Sequence, residues 1–147
     1  KSISEIKESW CTILADFPEY RLEFLENLSQ RNYRLFLLSN TDAIHIAHFR
    51  KTVGEEFYGR FYTSLEKVYF SFEMGLRKPQ PEIYEYALKK ANAKKEESIM
   101  IGDDWIADVE GALSFGIDAV FFDVFKDNFG NDEVKVIREL KELQKFL

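Results

Sequence analysis

Three carboxylates, Asp103, Asp104 and Asp108, crowd into six positions directly after the apolar run 98–101 and Gly102. Like charges at the end of a buried strand repel one another, and a cation among them relieves that cost. A second polar cluster, Ser39, Asn40, Thr41 and Asp42, closes the apolar run 33–38, and a third stretch, Arg77-Lys78-Pro79-Gln80-Pro81, supplies positive charge. A hydroxyl, an amide, an ammonium and paired acids are the groups that together hold a phosphoryl group. Ser39 and neighbouring backbone N–H groups would donate to its oxygens and Lys78 would supply charge. Asp103 and Asp104 would hold Mg2+, a hard cation that takes oxygen ligands and bridges to phosphate. Each cluster alone has a plainer use. Ser-Asn-Thr-Asp after a strand is a helix cap, a lysine before proline is a solvated loop residue, and Gly-Asp-Asp is a turn. Their joint occurrence at three strand ends favours the chemistry.

Those groups meet only if strands carry them to one rim. Apolar residues at helical spacing predict a helix over 2–15, broken at Phe17-Pro18, and a second over 19–30. Residues 33–38 read as a strand, 42–51 as a helix, 54–66 as a mixture of helix and loop, and 67–75 as a strand. A loop and then a helix follow, with Pro81 in its first turn. The run 98–101 is a strand, 107–115 a helix stopped by Gly116, and 117–123 a strand. Val134, Ile137, Leu140, Leu143 and Leu147 predict an amphipathic final helix over 132–146. Strands that are apolar on both faces and alternate with helices predict an α/β fold: a Rossmann-like parallel sheet with helices on both faces. Ligands of such sheets bind at the carboxyl ends of the strands.

Composition narrows the partners. A chain of 147 residues with 46% apolar residues, 14 of them Phe, is long and hydrophobic enough for one folded core. A single cysteine, Cys11, excludes an internal disulfide and a thiolate metal cluster and fits a reducing cytoplasm. No apolar run is long enough to span a bilayer, and the first residues lack the apolar segment of a secretory signal, so no membrane partner is expected. A net charge of −6 argues against nucleic acid. A small phosphorylated metabolite needs only one local cation.

The stretches LFLLSNTD, GLRKPQPEIYEYAL and IMIGDDWIADVEGALSFGIDAVFF, in this order and spacing, resemble the haloacid dehalogenase superfamily, and most closely its phosphatases with a small helical cap. The resemblance covers nearly the whole chain. It implies that Ser39 is the phosphate ligand of the second family motif, with Asn40 and Thr41 beside it at the substrate, and that Lys78 is the lysine of the third, which also binds substrate. It implies too that Asp103 and Asp104 are the acids near Mg2+ and that Asp108, which completes Gly-Asp-x4-Asp, belongs to the same metal set. Residues 1–16 resemble the last helix of the cap, and 17–147 the α/β core. The paired acids favour a Mg2+-dependent phosphatase over a 2-haloacid dehalogenase, whose fourth motif lacks them.

One family element is not in the sequence. The resemblance implies a nucleophile from an Asp-x-Asp-x-Thr motif at the end of a first strand, forming an aspartyl-phosphate. No Asp-x-Asp precedes Ser39, and the chain begins at Lys1. Asp16 follows a helix rather than a strand, and Asp123 and Asp127 are four apart after the last strand. The core is therefore expected to lack its first strand, which the resemblance would put between the strand ending at Ser39 and that ending at Asp103. An upstream segment or a second chain would complement it, and the 147 residues alone are expected to be inactive. A catalytically inactive relative that binds phosphate and metal is the alternative. A phosphoacceptor receiver domain is disfavoured, because there the acidic pair comes first and the lysine last. His45 and His48, three apart, lack a third metal-ligating partner nearby in sequence.

Overall fold

Short runs rich in β-branched and aromatic residues form the strands, and amphipathic stretches between them form the helices. The computed structural model describes residues 17–126 and 133–147. The chain divides into two units, Lys1–Gly75 and Leu76–Leu147. The helix expected over 2–15, and with it the assignment of 1–16 to a cap, lies outside the described residues.

In the first unit, α1 (Glu19–Gln30) leads into β1 (Phe36–Ser39), α2 (Ala43–Val53), α3 (Glu55–Thr63), β2 (Lys67–Phe70) and a single helical turn, α4 (Ser71–Met74). β1 and β2 pair in parallel, from Phe36 opposite Lys67 to Ser39 opposite Phe70. Gly54 adopts φ 84° and turns the chain from α2 into α3 within one residue. The stretch 54–66, expected to be mixed, is mostly helix. Its aromatic residues at 57, 58, 61 and 62 recur at helical spacing. Phe17 meets Phe49, Phe57 and Phe61 edge-on, with ring centroids 5.3 to 6.0 Å apart. Arg60 on α3 binds both oxygens of Glu26 on α1 at 2.8 and 2.9 Å, and Leu22 and Leu28 of α1 are buried.

In the second unit, α5 (Pro81–Ala91) precedes β3 (Ile99–Gly102), and a π-helical turn, Trp105–Glu110, runs on into α6 (Gly111–Phe115). β4 (Asp118–Phe122), β5 (Lys135–Ile137) and a 3-10 helix, Leu140–Lys145, complete it. All strands are parallel, in the order β3-β4-β5. Ala119, Val120 and Phe121 of the central strand form the buried floor, with Ile83, Tyr84 and Val109 also buried. No described helix is long and apolar enough to cross a membrane.

The α/β class with parallel strands is as expected, and two element assignments change. The described strands form two parallel sheets. In these, β1 and β3 are half-buried, and each has one neighbouring strand among the described residues. These are the two strands that the resemblance would flank with a further one. The strand expected over 67–75 ends at Phe70, where the chain turns into α4, and Gly75 stops that turn at φ 66°. The final helix expected over 132–146 is instead β5 followed by the 3-10 helix. Residues spaced for a helix here include the β-branched Val136 and Ile137, and β5 gains a full rung pairing beside β4, from Val120 opposite Lys135 to Phe122 opposite Ile137. Ile137 and Leu143 are buried as predicted, by a different route.

The 3-10 helix is held by a reciprocal cap. The Glu139 carboxylate accepts from the Glu142 N–H, and Glu142 Oε1 accepts from the N–H groups of Glu139 and Arg138, both at 2.9 Å. The Arg138 and Glu139 amides, with Lys145, hold the Glu142 carboxyl down at about 2, against an ordinary 4.5. A depressed carboxyl contributes its full stabilisation above the ordinary value and loses it as pH falls toward the folded one. Hydrogen-exchange protection of the Arg138 and Glu139 amides is therefore expected to hold above pH 4.5 and to fall as pH drops toward 2. Glu142→Gln should show weaker protection that no longer varies across that window.

Candidate active site

The first polar cluster is built at the end of β1. Asp42 is the N-cap of α2: its Oδ1 accepts from the N–H groups of Ile44 and His45 at 2.8 and 3.0 Å, and its Oδ2 lies 3.0 Å from His45 Nδ1. The capping use thus falls to Asp42 and leaves Ser39, Asn40 and Thr41 as the turn ahead of the helix. The Thr41 N–H is already engaged, because it donates to Ser71 Oγ at 3.1 Å. His45 is buried against its cap and His48 is exposed, so the two do not form a metal pair.

The second cluster belongs to the second unit. Lys78 lies in a tight loop, where the Gln80 N–H donates to the Arg77 carbonyl at 2.9 Å and the Arg77 N–H to Gln80 Oε1 at 3.1 Å. The Lys78–Pro79 peptide is cis, and Pro81 opens α5. Far from being a solvated loop residue, Lys78 is 7% exposed, and its ammonium is paired with Oδ1 of Asp108, itself 5% exposed. Asp108 Oδ2 accepts from the Asp104 N–H at 3.0 Å. The sequence reading assigns Asp108 to the metal, but here its two oxygens face the ammonium and a backbone amide.

Two glycines make the room. A Cβ on Gly102 would run into the carboxylate of Asp108, and one on Gly111 would lie 2.7 Å from Pro79 Cβ. Tyr84 of α5 donates its hydroxyl to the Ala107 carbonyl inside the π-helical turn. Burial first, then the charges of Asp108 and Asp104, push the Tyr84 hydroxyl up to about 12, so it stays a donor.

The remaining acids are differently employed. Asp104 caps the π-helical turn, with Oδ1 accepting from the Ala107 N–H at 2.8 Å. The Asp103 carboxylate is bonded to its own backbone N–H. Desolvation, together with the negative charges of Asp108 and Asp104, pushes its carboxyl above the usual range, against the pull of its own backbone N–H and of Lys78. A carboxylate strained by like charges is a donor that a hard cation would satisfy. Among the described residues no three His, Cys, Asp or Glu side chains are grouped to enclose a metal. A pair of carboxylates would suit Mg2+, which keeps several waters and takes further ligands from phosphate.

With this geometry in place, the comparisons are decisive for the family. Residues 5–116 match the family described as hydrolase, haloacid dehalogenase-like hydrolase. The chain belongs to the haloacid dehalogenase-like hydrolases. It is 34% identical, over 111 residues, to a glyceraldehyde 3-phosphate phosphatase of Pyrococcus furiosus, covering 76% of this chain and 43% of that one. A haloacid dehalogenase family enzyme of Bacteroides thetaiotaomicron, crystallised with magnesium and inorganic phosphate, is 30% identical with a TM-score of 0.69 over 90% of this chain and 65% of that one. A phosphatase from Thermococcus onnurineus shares the fold, with a TM-score of 0.72 at 23% identity over 99% of this chain and 64% of that one. The chain spans about half the length of the curated relatives it matches.

Sequence reasoning missed Ser71 and Tyr84, which lie in no polar cluster. The available signal was a hydroxyl at the end of a strand for Ser71 and a tyrosine one turn into the helix that follows Lys78. The buried pair gives a stability test. Asp108→Asn would leave the Lys78 ammonium buried without a counter-charge, and the expected loss is about 3–5 kcal/mol in denaturant unfolding. Adding Lys78→Met should recover much of it. Equal losses in the single and double variants would show that the pairing is not what holds this region.

Proposed function

We propose that the protein is a Mg2+-dependent phosphatase acting on a small phosphomonoester. The observation that carries this reading is the buried Lys78–Asp108 pair beside two further acids, one of them, Asp103, raised by desolvation and by its like-charged neighbours. Family membership and the phosphatase relatives support it. The P. furiosus relative acts on a three-carbon sugar phosphate, and a substrate of that class is the first to try.

Each residue then has one task. Ser39 and Asn40 donate to phosphoryl oxygens. Thr41, assigned to substrate from sequence, contributes through its side chain, its N–H being engaged by Ser71. Asp108 fixes the Lys78 ammonium, a charge held out of water that needs no rearrangement when negative charge builds on the phosphoryl group. Asp103 and Asp104 would hold Mg2+, which supplies charge neutralisation at the phosphoryl oxygens. The attack itself needs a carboxylate that forms an aspartyl-phosphate and a second acid that protonates the leaving group and then activates water. No Asp-x-Asp occurs in the 147 residues, so this reading takes both groups from an upstream segment or a second chain. The single cysteine fits a cytoplasmic setting.

The test is Mg2+-dependent release of phosphate from a panel of small phosphomonoesters by the protein together with the upstream segment or second chain that supplies the Asp-x-Asp groups, compared with Lys78→Ala and Asp103→Asn. Each substitution is expected to lower kcat by about 10²–10³-fold, the scale of one charge-stabilising group. Full activity in either variant would remove that residue from the site. Phosphate binding without turnover in the unaltered protein would favour the inactive relative instead.

A further inference from the structure

We propose that Ser71 is a positioning residue for the phosphate-binding turn, an inference that rests on the phosphatase reading above. The parallel ladder between β1 and β2 stops at Ser39 opposite Phe70. Beyond it the two chains diverge, one into the turn Ser39–Asn40–Thr41 and the other into α4. One side chain spans the gap. Ser71 Oγ accepts from the Thr41 N–H at 3.1 Å and donates to the Thr41 carbonyl at 3.1 Å. A single hydroxyl therefore binds both polar groups of one residue, as a further rung of the ladder would.

This contact sets the shape of the turn from its far end. Ser39 is held by its pairing with β2, and Thr41 is held by Ser71 one residue beyond that pairing. Asp42 then closes the first turn of α2 through Ile44 and His45. Of this stretch, Asn40 is the residue between two fixed points. A ligand that takes its donors from Ser39 and Asn40 meets them already oriented, and the ordering cost is met by folding rather than by binding. The hydroxyl is also specific in kind. An alanine would leave both Thr41 groups without this partner, whereas a threonine carries the same oxygen on the same carbon.

The experiment compares Ser71→Ala and Ser71→Thr in the full chain by three readouts: hydrogen exchange of the Thr41 amide, affinity for inorganic phosphate, and thermal midpoint. Ser71→Ala is expected to speed Thr41 exchange and weaken phosphate roughly tenfold, the equivalent of about one net hydrogen bond. Ser71→Thr should restore both to near the unaltered values. Unchanged phosphate affinity in Ser71→Ala, with faster Thr41 exchange, would overturn the positioning role, since the turn would loosen without consequence for the ligand. So would a loss that Ser71→Thr fails to restore, or one matched by a comparable fall in thermal midpoint. Failure of the phosphate site on which the phosphatase reading depends looks different: the unaltered protein would bind no phosphate, while Thr41 exchange would still respond to Ser71→Ala.

Discussion

An ammonium and a carboxylate buried together must stay together, and much of the second unit is arranged to that end. Lys78 and Asp108 are both nearly withdrawn from water. Either charge alone at that depth would cost several kcal/mol, whereas the pair offsets the loss of hydration if the remaining lone pairs are also satisfied. The second oxygen of Asp108 meets that condition through the Asp104 N–H. On the lysine side the loop is closed by Gln80 in both directions. On the aspartate side the π-helical turn is pinned by the Asp104 cap and by Tyr84 from α5. β3, α5 and the turn after β3 are thereby tied at one place, and the two glycines are the gaps through which the ties pass.

The first unit holds its turn by other means: an acidic helix cap and a serine bridging two diverging chains. The difference in means follows from what each turn offers. A phosphate oxygen needs neutral donors set in place, and neutral hydrogen bonds suffice to set them. A site that gathers acids needs a fixed positive charge, which must itself be neutralised where it is anchored.

The main elements could be read from the sequence because they obey local rules. Pro81 opens α5, Gly116 closes α6 and Asp42 caps α2, each for a reason contained within a few residues. Ser39, Lys78 and the three acids were legible as residues that strand ends would carry. Their employment was not, because it depends on partners far along the chain. Lys78 and Asp108 are 30 residues apart, as are Thr41 and Ser71. The C-terminal segment was misread for the same cause. Its apolar spacing suits a helix, but an available edge of β4 made a strand the better use of Val136 and Ile137. Half-buried β1 and β3 likewise reflect what lies beside them, which their own apolar residues do not specify.

The space at Gly102 links three positions into one inherited unit. A side chain at 102 is admissible only if position 108 gives up its carboxylate, and that carboxylate is what keeps the ammonium at 78 in place. Losing the lysine would remove the charge that Asp108 neutralises but not the Asp104 N–H that its other oxygen accepts, so position 102 stays confined for as long as position 108 keeps a carboxylate. Gly102, Lys78 and Asp108 are therefore positions at which a change in one asks for a change in another.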